Sequence, residues 1–173
     1  KKRKLQSQYL GLINAEENLF GDSDRTTHLK SHNPFRAERP ADFFDAWQMF
    51  GLKNFDIVLA NPPYIGEKGN KDIFRLVKDT RLGQRFSQAK MDYFYYFFHL
   101  AIELVAEGGV ICFITTNYYP KAPSARLVRK HLQESTNLIK LVNFHELKIF
   151  KSAVGQHNLI TLAIKSDPDP KRL

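Results

Sequence analysis

Residues 55–65 constrain the fold more than any other part of this sequence. They read Phe-Asp-Ile-Val-Leu-Ala-Asn-Pro-Pro-Tyr-Ile, an apolar run with β-branched residues that is followed by two prolines. Such a run is typical of a strand buried on both faces of a parallel sheet. The strand must end at Pro62 and Pro63, because proline has a fixed φ and no N–H donor. Asn61 precedes a proline and is held extended. We therefore expect Asn61 and Tyr64 at the carboxyl end of the strand, where open α/β sheets bind ligands.

The rest of the chain alternates between helical and strand patterns. Apolar residues at helical spacing predict an amphipathic helix over residues 2–18, and polar composition with two prolines predicts a long loop over residues 21–40. A strongly apolar helix with core aromatic residues is predicted over 91–105, ended by Gly108 and Gly109. The remaining predictions are strands over 110–114, 138–144 and 157–164, a basic helix over 120–133, and a charged, glycine-rich mobile flap over 66–85. Since no helix separates the last two strands, they are predicted to pair antiparallel.

The Asn-Pro-Pro-Tyr motif resembles the catalytic motif of S-adenosylmethionine-dependent amino methyltransferases, above all the DNA adenine-N6 class. The exocyclic amine of adenine is a poor nucleophile, because its lone pair is delocalised into the ring. In this resemblance the side-chain oxygen of Asn61 and the carbonyl of Pro62 accept hydrogen bonds from the amine and free the lone pair. Pro63 stiffens the turn, and Tyr64 provides a flat face for an extruded base.

The resemblance extends from about residue 42 to residue 165 and is closest to the methylase domain of type IIG restriction-modification enzymes. Residues 90–93 (Lys-Met-Asp-Tyr) and 113–117 (Phe-Ile-Thr-Thr-Asn) match those enzymes. The resemblance implies an α/β fold with a Rossmann-like class I methyltransferase sheet. It also implies a restriction-modification system in which double-stranded DNA is the substrate.

The same resemblance implies S-adenosylmethionine as the cofactor, and no metal for methyl transfer. Asp42 matches the acidic residue that binds the cofactor's adenine ring, with Asn61 and Pro62 beside the reacting end. Asp45 is a competing assignment, and capping of a short helix is another role open to Asp42. Phe150 matches an aromatic residue that stacks on the other face of the flipped adenine; a hydrophobic plug at a strand end is the alternative.

Parts of the family pattern are not found in the sequence. Nothing in residues 1–40 resembles the glycine-rich cofactor loop, the first strand or the ribose-binding acidic residue. We therefore expect a truncated sheet. We also expect the chain to divide into three segments: a helix and polar loop (1–40), the catalytic half (41–165) and a linker (166–173). The expected partners are a cofactor-binding N-terminal half and a downstream specificity domain, and the isolated chain is expected to be inactive.

Charge favours a polyanionic partner. The formal net charge is +8 and the isoelectric point is near 9.6, and phosphate neutralisation dominates affinity for nucleic acid. The candidate DNA-binding residues on the basic helix are Lys121, Arg126, Arg129 and Lys130.

The cysteine and histidine residues bear on the cellular compartment of the protein and on whether it binds a metal. Cys112 is the single cysteine, which excludes an internal disulfide and favours an intracellular, reducing compartment. The family resemblance implies that this compartment is the cytoplasm of a bacterium or archaeon. The sequence has no signal peptide and no long apolar membrane segment. His28 and His32 lie at helical spacing, but no cysteine or carboxylate completes a ligand set, so no metal site is predicted.

Three alternatives remain open at this stage. The motif also occurs in enzymes that methylate glutamine in release factors and in enzymes that methylate RNA bases. Thr115, Thr116 and Asn117, with the basic helix behind them, favour a nucleic-acid substrate over glutamine. The third alternative is a module that binds DNA or a protein without catalysis.

Overall fold

The computed structural model describes residues 2–20, 27, 30, 31, 33, 35, 46–150 and 157–166. The chain divides into two compact units, Lys1–Leu52 and Lys53–Leu173. The predictions for Asp42, Asp45, His28 and His32, and for the end of the chain after residue 166, lie outside the described residues. The three-segment division stays a prediction.

The first unit contains the predicted amphipathic helix. Helix α1 (Lys2–Phe20) begins where the sequence pattern places it and runs slightly further. The ring of Tyr9 packs edge-on against Phe35 with 5.9 Å between the ring centroids. A short helix α2 (Ala46–Phe50) ends at Gly51, whose φ of +71° is a left-handed conformation that favours glycine.

The second unit is built on a four-stranded sheet. Its strands are β1 (Phe55–Ala60), β2 (Val105–Thr116), β3 (Thr136–Asn143) and β4 (Asn158–Lys165). The order is β1-β2-β4-β3, with β1 parallel to β2 and β4 antiparallel to both of its neighbours. The predicted antiparallel pairing of the last two strands is confirmed. The insertion of β4 between β2 and β3 was not predicted, because strand order depends on long-range pairing.

The helices of this unit are α3 (Lys71–Lys78), α4 (Arg81–Phe86), α5 (Phe94–Leu104) and α6 (Arg126–Ser135), with a single 3₁₀ turn at Pro123–Ala125 before α6. Helices α3 and α4 occupy the region predicted as a mobile flap. Phe74 on α3 is only 1% exposed and belongs to the hydrophobic core. This part of the prediction is wrong, since the charged composition lies on the exposed faces of helices.

The aromatic residues of α5 form the centre of the core, as predicted. Phe94, Tyr95 and Phe98 are fully buried, and Phe98 packs against Phe113 of β2 with ring centroids 4.9 Å apart. Ile111 points to the same face of β2 and is also fully buried. This helix therefore covers one face of the sheet and holds β2 in place.

The end of α5 differs from the sequence prediction. The helix stops at Leu104, and the side chains of Asn54 and Lys165 bind carbonyls at this end. Asn54 donates to the carbonyls of Glu103 and Leu104, each at 3.3 Å, and Lys165 donates to those of Ile102 and Val105. Gly108 and Gly109 lie instead within β2.

Gly109 permits the close approach of β2 to β1. A Cβ atom at this position would lie 2.7 Å from Val105 Cγ2 and 2.8 Å from the carbonyl oxygen of Asp56. Glycine is the residue that leaves room for such a contact.

One face of β1 is exposed within the described part of the chain. Ile57 is 59% and Leu59 is 70% exposed, so the prediction of a strand buried on both faces is wrong for this unit. β1 also lies at one edge of the sheet as described, which agrees with the expected truncation. An apolar strand sequence indicates that both faces are suited to burial. It does not indicate which elements cover those faces.

A stack of three rings joins α4, α5 and α6. Phe86 stacks on His99 with ring centroids 3.7 Å apart, and the Nδ1 atoms of His99 and His131 lie 2.8 Å apart. Burial, together with the positive charges of His131 and Arg85, lowers the pKa of His99 from 6.5 to about 3. A histidine with a lowered pKa stabilises the fold above its unfolded pKa, and that stabilisation is lost as the pH falls toward the folded value.

We predict that acid destabilises the protein through His99. The free energy of unfolding should fall between pH 6.5 and about 3, the window set by the pKa of His99, by up to about 1.4 kcal/mol per pH unit. His99→Leu should flatten this dependence, measured by urea unfolding at a series of pH values. His145→Asn, a change at an exposed histidine, serves as the control. A His99→Leu curve parallel to that of the unmodified protein would contradict the prediction.

Candidate active site

The Asn-Pro-Pro-Tyr turn lies at the carboxyl end of β1, as the sequence predicts. Ala60 pairs with Phe113, so the turn lies beside the last residues of β2. Asn61 and Pro63 are exposed, Pro62 is buried, and Tyr64 is half-buried. The turn thus presents a polar side chain at the edge of the sheet where the carboxyl ends of two parallel strands meet.

Tyr64 is held at both of its ends. Its hydroxyl shares its proton between Asn61 Oδ1 at 2.7 Å and the carbonyl oxygen of Ile114 at 3.0 Å. Its ring packs edge-on against Phe94, with 6.0 Å between the centroids. Burial raises the pKa of Tyr64, and a polar contact with Asn158 opposes this rise. The hydroxyl therefore stays protonated and orients the amide oxygen of Asn61.

The segment after Tyr64 is fixed by hydrogen bonds. Its backbone pairs with residues 91–93: Tyr93 N–H donates to the carbonyl of Ile65 at 2.8 Å, and Glu67 N–H donates to that of Met91 at 2.9 Å. The Glu67 carboxylate accepts from the N–H of Lys90 at 2.7 Å and forms an ion pair of 2.7 Å with Lys78. The hydrogen bond from Lys78 is the main reason that the pKa of Glu67 is lowered.

Asp92 is a candidate site residue that sequence reasoning did not single out. Its backbone forms an antiparallel bridge with Gly66, two residues after Tyr64. Burial raises the pKa of the half-buried Asp92 carboxyl, and polar contacts with the hydroxyls of Tyr118 and Tyr95 oppose the rise. Burial likewise raises the pKa of Tyr95 to about 12. The available signal was its position in the Lys-Met-Asp-Tyr segment that matches type IIG enzymes.

The end of β2 is linked to the ends of β3 and β4. Asn117 N–H donates to the carbonyl of His157 at 2.9 Å, and its side chain donates to Asn143 Oδ1 at 3.2 Å. Phe150 is half-buried in a segment without regular structure, just before residues that are not described. Its pairing with Tyr64 across a base stays a prediction.

The four basic residues of the predicted DNA-binding helix lie in different environments. Arg129 is half-buried, and its guanidinium donates to the carbonyls of Tyr119 at 2.9 Å and Ala122 at 2.6 Å, which holds the turn before α6. Lys130 lies 3.6 Å from Glu134 in an exposed ion pair. Lys121 and Arg126 are exposed. Contact of these residues with DNA stays a prediction.

Two further properties concern the described residues only. Among them, no three His, Cys, Asp or Glu side chains are grouped so that they could hold a metal ion. No helix in this part of the chain has both the length and the apolar character needed to cross a membrane.

The fold is a mixed α/β fold with a four-stranded sheet, in which the antiparallel strand β4 is inserted between β2 and β3. A solved protein from Vibrio vulnificus YJ016, described as a type I restriction enzyme modification subunit, has a TM-score of 0.51 to this chain at 19% identity. The similarity covers 67% of this chain and 24% of that one. The Eco57I restriction-modification methylase family matches residues 3–150, and the chain belongs to that family. The predicted resemblance and fold class are confirmed.

Two similar proteins show how much of a longer relative the chain spans. The type II methyltransferase M.HincII of Haemophilus influenzae is 29% identical over 97 residues, which cover 56% of this chain and 19% of that protein. The type II restriction enzyme and methyltransferase RM.Eco57I of Escherichia coli is 26% identical over 106 residues, which cover 60% of this chain and 11% of that protein. The chain thus matches less than a fifth of the length of either relative.

We predict that Asp92 makes stability depend on pH in the opposite direction to His99. An aspartate with a raised pKa stabilises the fold when protonated, and this stabilisation is lost as the pH rises through the folded pKa. Asp92→Asn cannot ionise, so its free energy of unfolding relative to the unmodified protein should increase as the pH rises from the ordinary aspartate pKa of 3.8 through the raised pKa of Asp92. Urea unfolding of both proteins across this range measures the difference. Asp79→Asn, a change at an exposed aspartate, serves as the control, and a constant difference for Asp92→Asn would refute the prediction.

Proposed function

We propose that this chain is the catalytic part of a DNA methyltransferase of a restriction-modification system, which transfers a methyl group from S-adenosylmethionine to the N6 amino group of adenine. The observation that carries the proposal is the oriented amide of Asn61. Its oxygen is exposed at the carboxyl end of β1 and is held by the Tyr64 hydroxyl at 2.7 Å. Membership of the Eco57I methylase family supports the same reaction.

Asn61 and Pro62 act on the amine of the target base. The amide oxygen of Asn61 and the carbonyl of Pro62 accept hydrogen bonds from the two N–H groups, which draws the nitrogen toward tetrahedral geometry and makes its lone pair available. Acceptors held in place before the reaction need no rearrangement during it. The anchoring of the turn by Tyr64 and Ile114 provides this preorganisation.

The residues present fit the reacting end of the cofactor. S-adenosylmethionine supplies the methyl group from a sulfonium centre. The side chains of Asn61 and Pro63 are exposed, which leaves room for two reactants to meet beside Asn61. Asp42 is the proposed contact to the adenine ring of the cofactor, and Asn61 and Pro62 are the proposed contacts near the methyl group.

Charge and similarity support double-stranded DNA as the substrate. The formal net charge of +8 favours a polyanion, and Lys121 and Arg126 are exposed cations near the start of α6. M.HincII and RM.Eco57I are named as type II methyltransferases. A cofactor-binding segment and a specificity domain are the proposed partners within the full-length protein.

The proposal predicts that Asn61→Ala nearly abolishes methyl transfer in the full-length protein. Because Asn61 acts mainly in the transition state, the rate should fall about 100- to 1000-fold while DNA binding is kept. Transfer of a radiolabelled methyl group to DNA measures the first effect, and a gel-shift assay measures the second. Gln84→Ala removes an amide from an exposed helical position and is the control. Activity retained in Asn61→Ala would overturn the catalytic assignment.

A second prediction concerns Phe150. If its ring stacks on the extruded adenine, Phe150→Ala should weaken extrusion by about 1–3 kcal/mol and slow the methyl-transfer step much less. A fluorescent base analogue at the target position reports extrusion, and single-turnover kinetics report transfer. Leu147→Ala removes an exposed apolar side chain from the same segment and is the control. Unchanged extrusion in Phe150→Ala would exclude the stacking role.

A further inference from the structure

Two exposed lysines lie beside the backbone pairing that follows the Asn-Pro-Pro-Tyr turn. The pairing begins just after Tyr64, where Gly66 and Asp92 form an antiparallel bridge. Lys68 comes two residues after Gly66, and Lys90 comes two residues before Asp92. Since paired antiparallel segments run in opposite directions, both lysines lie at the same end of the pairing. Two positive charges are therefore held together a few residues from the catalytic motif.

The carboxylate next to these lysines is already paired. One oxygen of Glu67 forms an ion pair of 2.7 Å with Lys78, and the other accepts from the backbone N–H of Lys90 at 2.7 Å. Within the described residues, neither the Lys68 nor the Lys90 ammonium group forms an ion pair. Like charges held close to each other are unfavourable, and an anion between them removes the repulsion. This end of the pairing therefore suits an anionic ligand.

The backbone of Lys90 has a conformation that suits glycine better than lysine. Its φ of +60° is left-handed, and a residue with a Cβ atom adopts this conformation at a cost that glycine does not have. The hydrogen bond from its N–H to Glu67 holds it there. Residues in such conformations are concentrated at functional sites. A lysine at this position thus indicates a use for its side chain.

We infer that Lys68 and Lys90 form a phosphate-contact site for DNA, beside the Asn-Pro-Pro-Tyr turn and separate from the basic helix α6. This inference rests on the function proposed above, from which it takes DNA as the ligand. The strand that delivers its base to Asn61 passes the pairing that follows the turn. The two ammonium groups neutralise phosphates of that strand and position it without reading its sequence.

The experiment measures binding of the full-length protein to a fluorescent double-stranded DNA fragment of mixed sequence at a series of salt concentrations. Lys68→Gln and Lys90→Gln should each lower the association constant about 5- to 10-fold at about 0.1 M salt. Each should also reduce the slope of its logarithm against the logarithm of the salt concentration by about 0.9, because one phosphate contact is lost. KM for DNA should rise while kcat stays nearly unchanged, since these contacts are equally strong before and during the reaction.

Lys140→Gln is the matched control. Lys140 is exposed on β3, the strand at the opposite edge of the sheet from β1. The substitution removes the same charge from the protein and should leave the salt dependence of binding unchanged. An equal loss of slope in Lys140→Gln would overturn the site, because net charge alone would then explain the effect.

Lys90→Gly separates a contact with DNA from a structural role. Glycine adopts the left-handed conformation without strain and keeps the N–H that Glu67 accepts from, so the melting temperature should be kept or raised. The loss of DNA affinity should equal that of Lys90→Gln. Full DNA affinity in Lys90→Gly would show that only the backbone matters, and it would overturn the phosphate contact.

The outcomes separate the inference from the proposed function. Unchanged salt slopes in Lys68→Gln and Lys90→Gln, in a protein that methylates DNA, would overturn the phosphate site alone. Absence of methyl transfer to DNA by the unmodified protein would overturn the proposed function, whereas a salt slope that depends on Lys68 and Lys90 would still support the site. An unmodified protein that does not bind DNA would overturn both.

Discussion

Parallel pairing of β1 with β2 is the interaction on which the candidate site depends. The pairing runs from Phe55 with Val105 to Ala60 with Phe113, and it brings the carboxyl ends of both strands to one edge of the sheet. Only in this register does the Tyr64 hydroxyl reach the carbonyl of Ile114, 50 residues along the chain. The orientation of Asn61 is therefore a consequence of sheet register, transmitted through one tyrosine.

The aromatic helix α5 makes that register rigid. Its buried rings press against one face of β2, and its first residue, Phe94, also packs against Tyr64. Just before the helix, residues 91–93 pair with the backbone that follows the motif. One helix thus contacts the sheet, the tyrosine and the segment that leaves the turn. Such convergence holds a site within the small tolerances that catalysis requires.

The differences between prediction and structure have a common cause. The glycines at 108 and 109 have the pattern of a helix end, yet Asn54 and Lys165 take up the carbonyls of α5 from distant parts of the chain. The charged region after the motif has the composition of a loop, yet Phe74 anchors it in the core. In each case a local pattern allowed several partners, and tertiary contacts selected one.

The sequence by itself determined the strand that ends before Pro62, the placement of Asn61 and Tyr64 at its carboxyl end, the aromatic core helix and the family resemblance. These follow from local chemistry, because a proline must end a strand and an apolar helix must be buried wherever the rest of the chain lies. Only the tertiary structure decided that β4 lies between β2 and β3, that one face of β1 is exposed, and that the Tyr64 hydroxyl reaches the carbonyl of Ile114. Those features depend on contacts between residues far apart in the chain. Hydrophobic periodicity and motif spacing do not predict which distant residues come into contact.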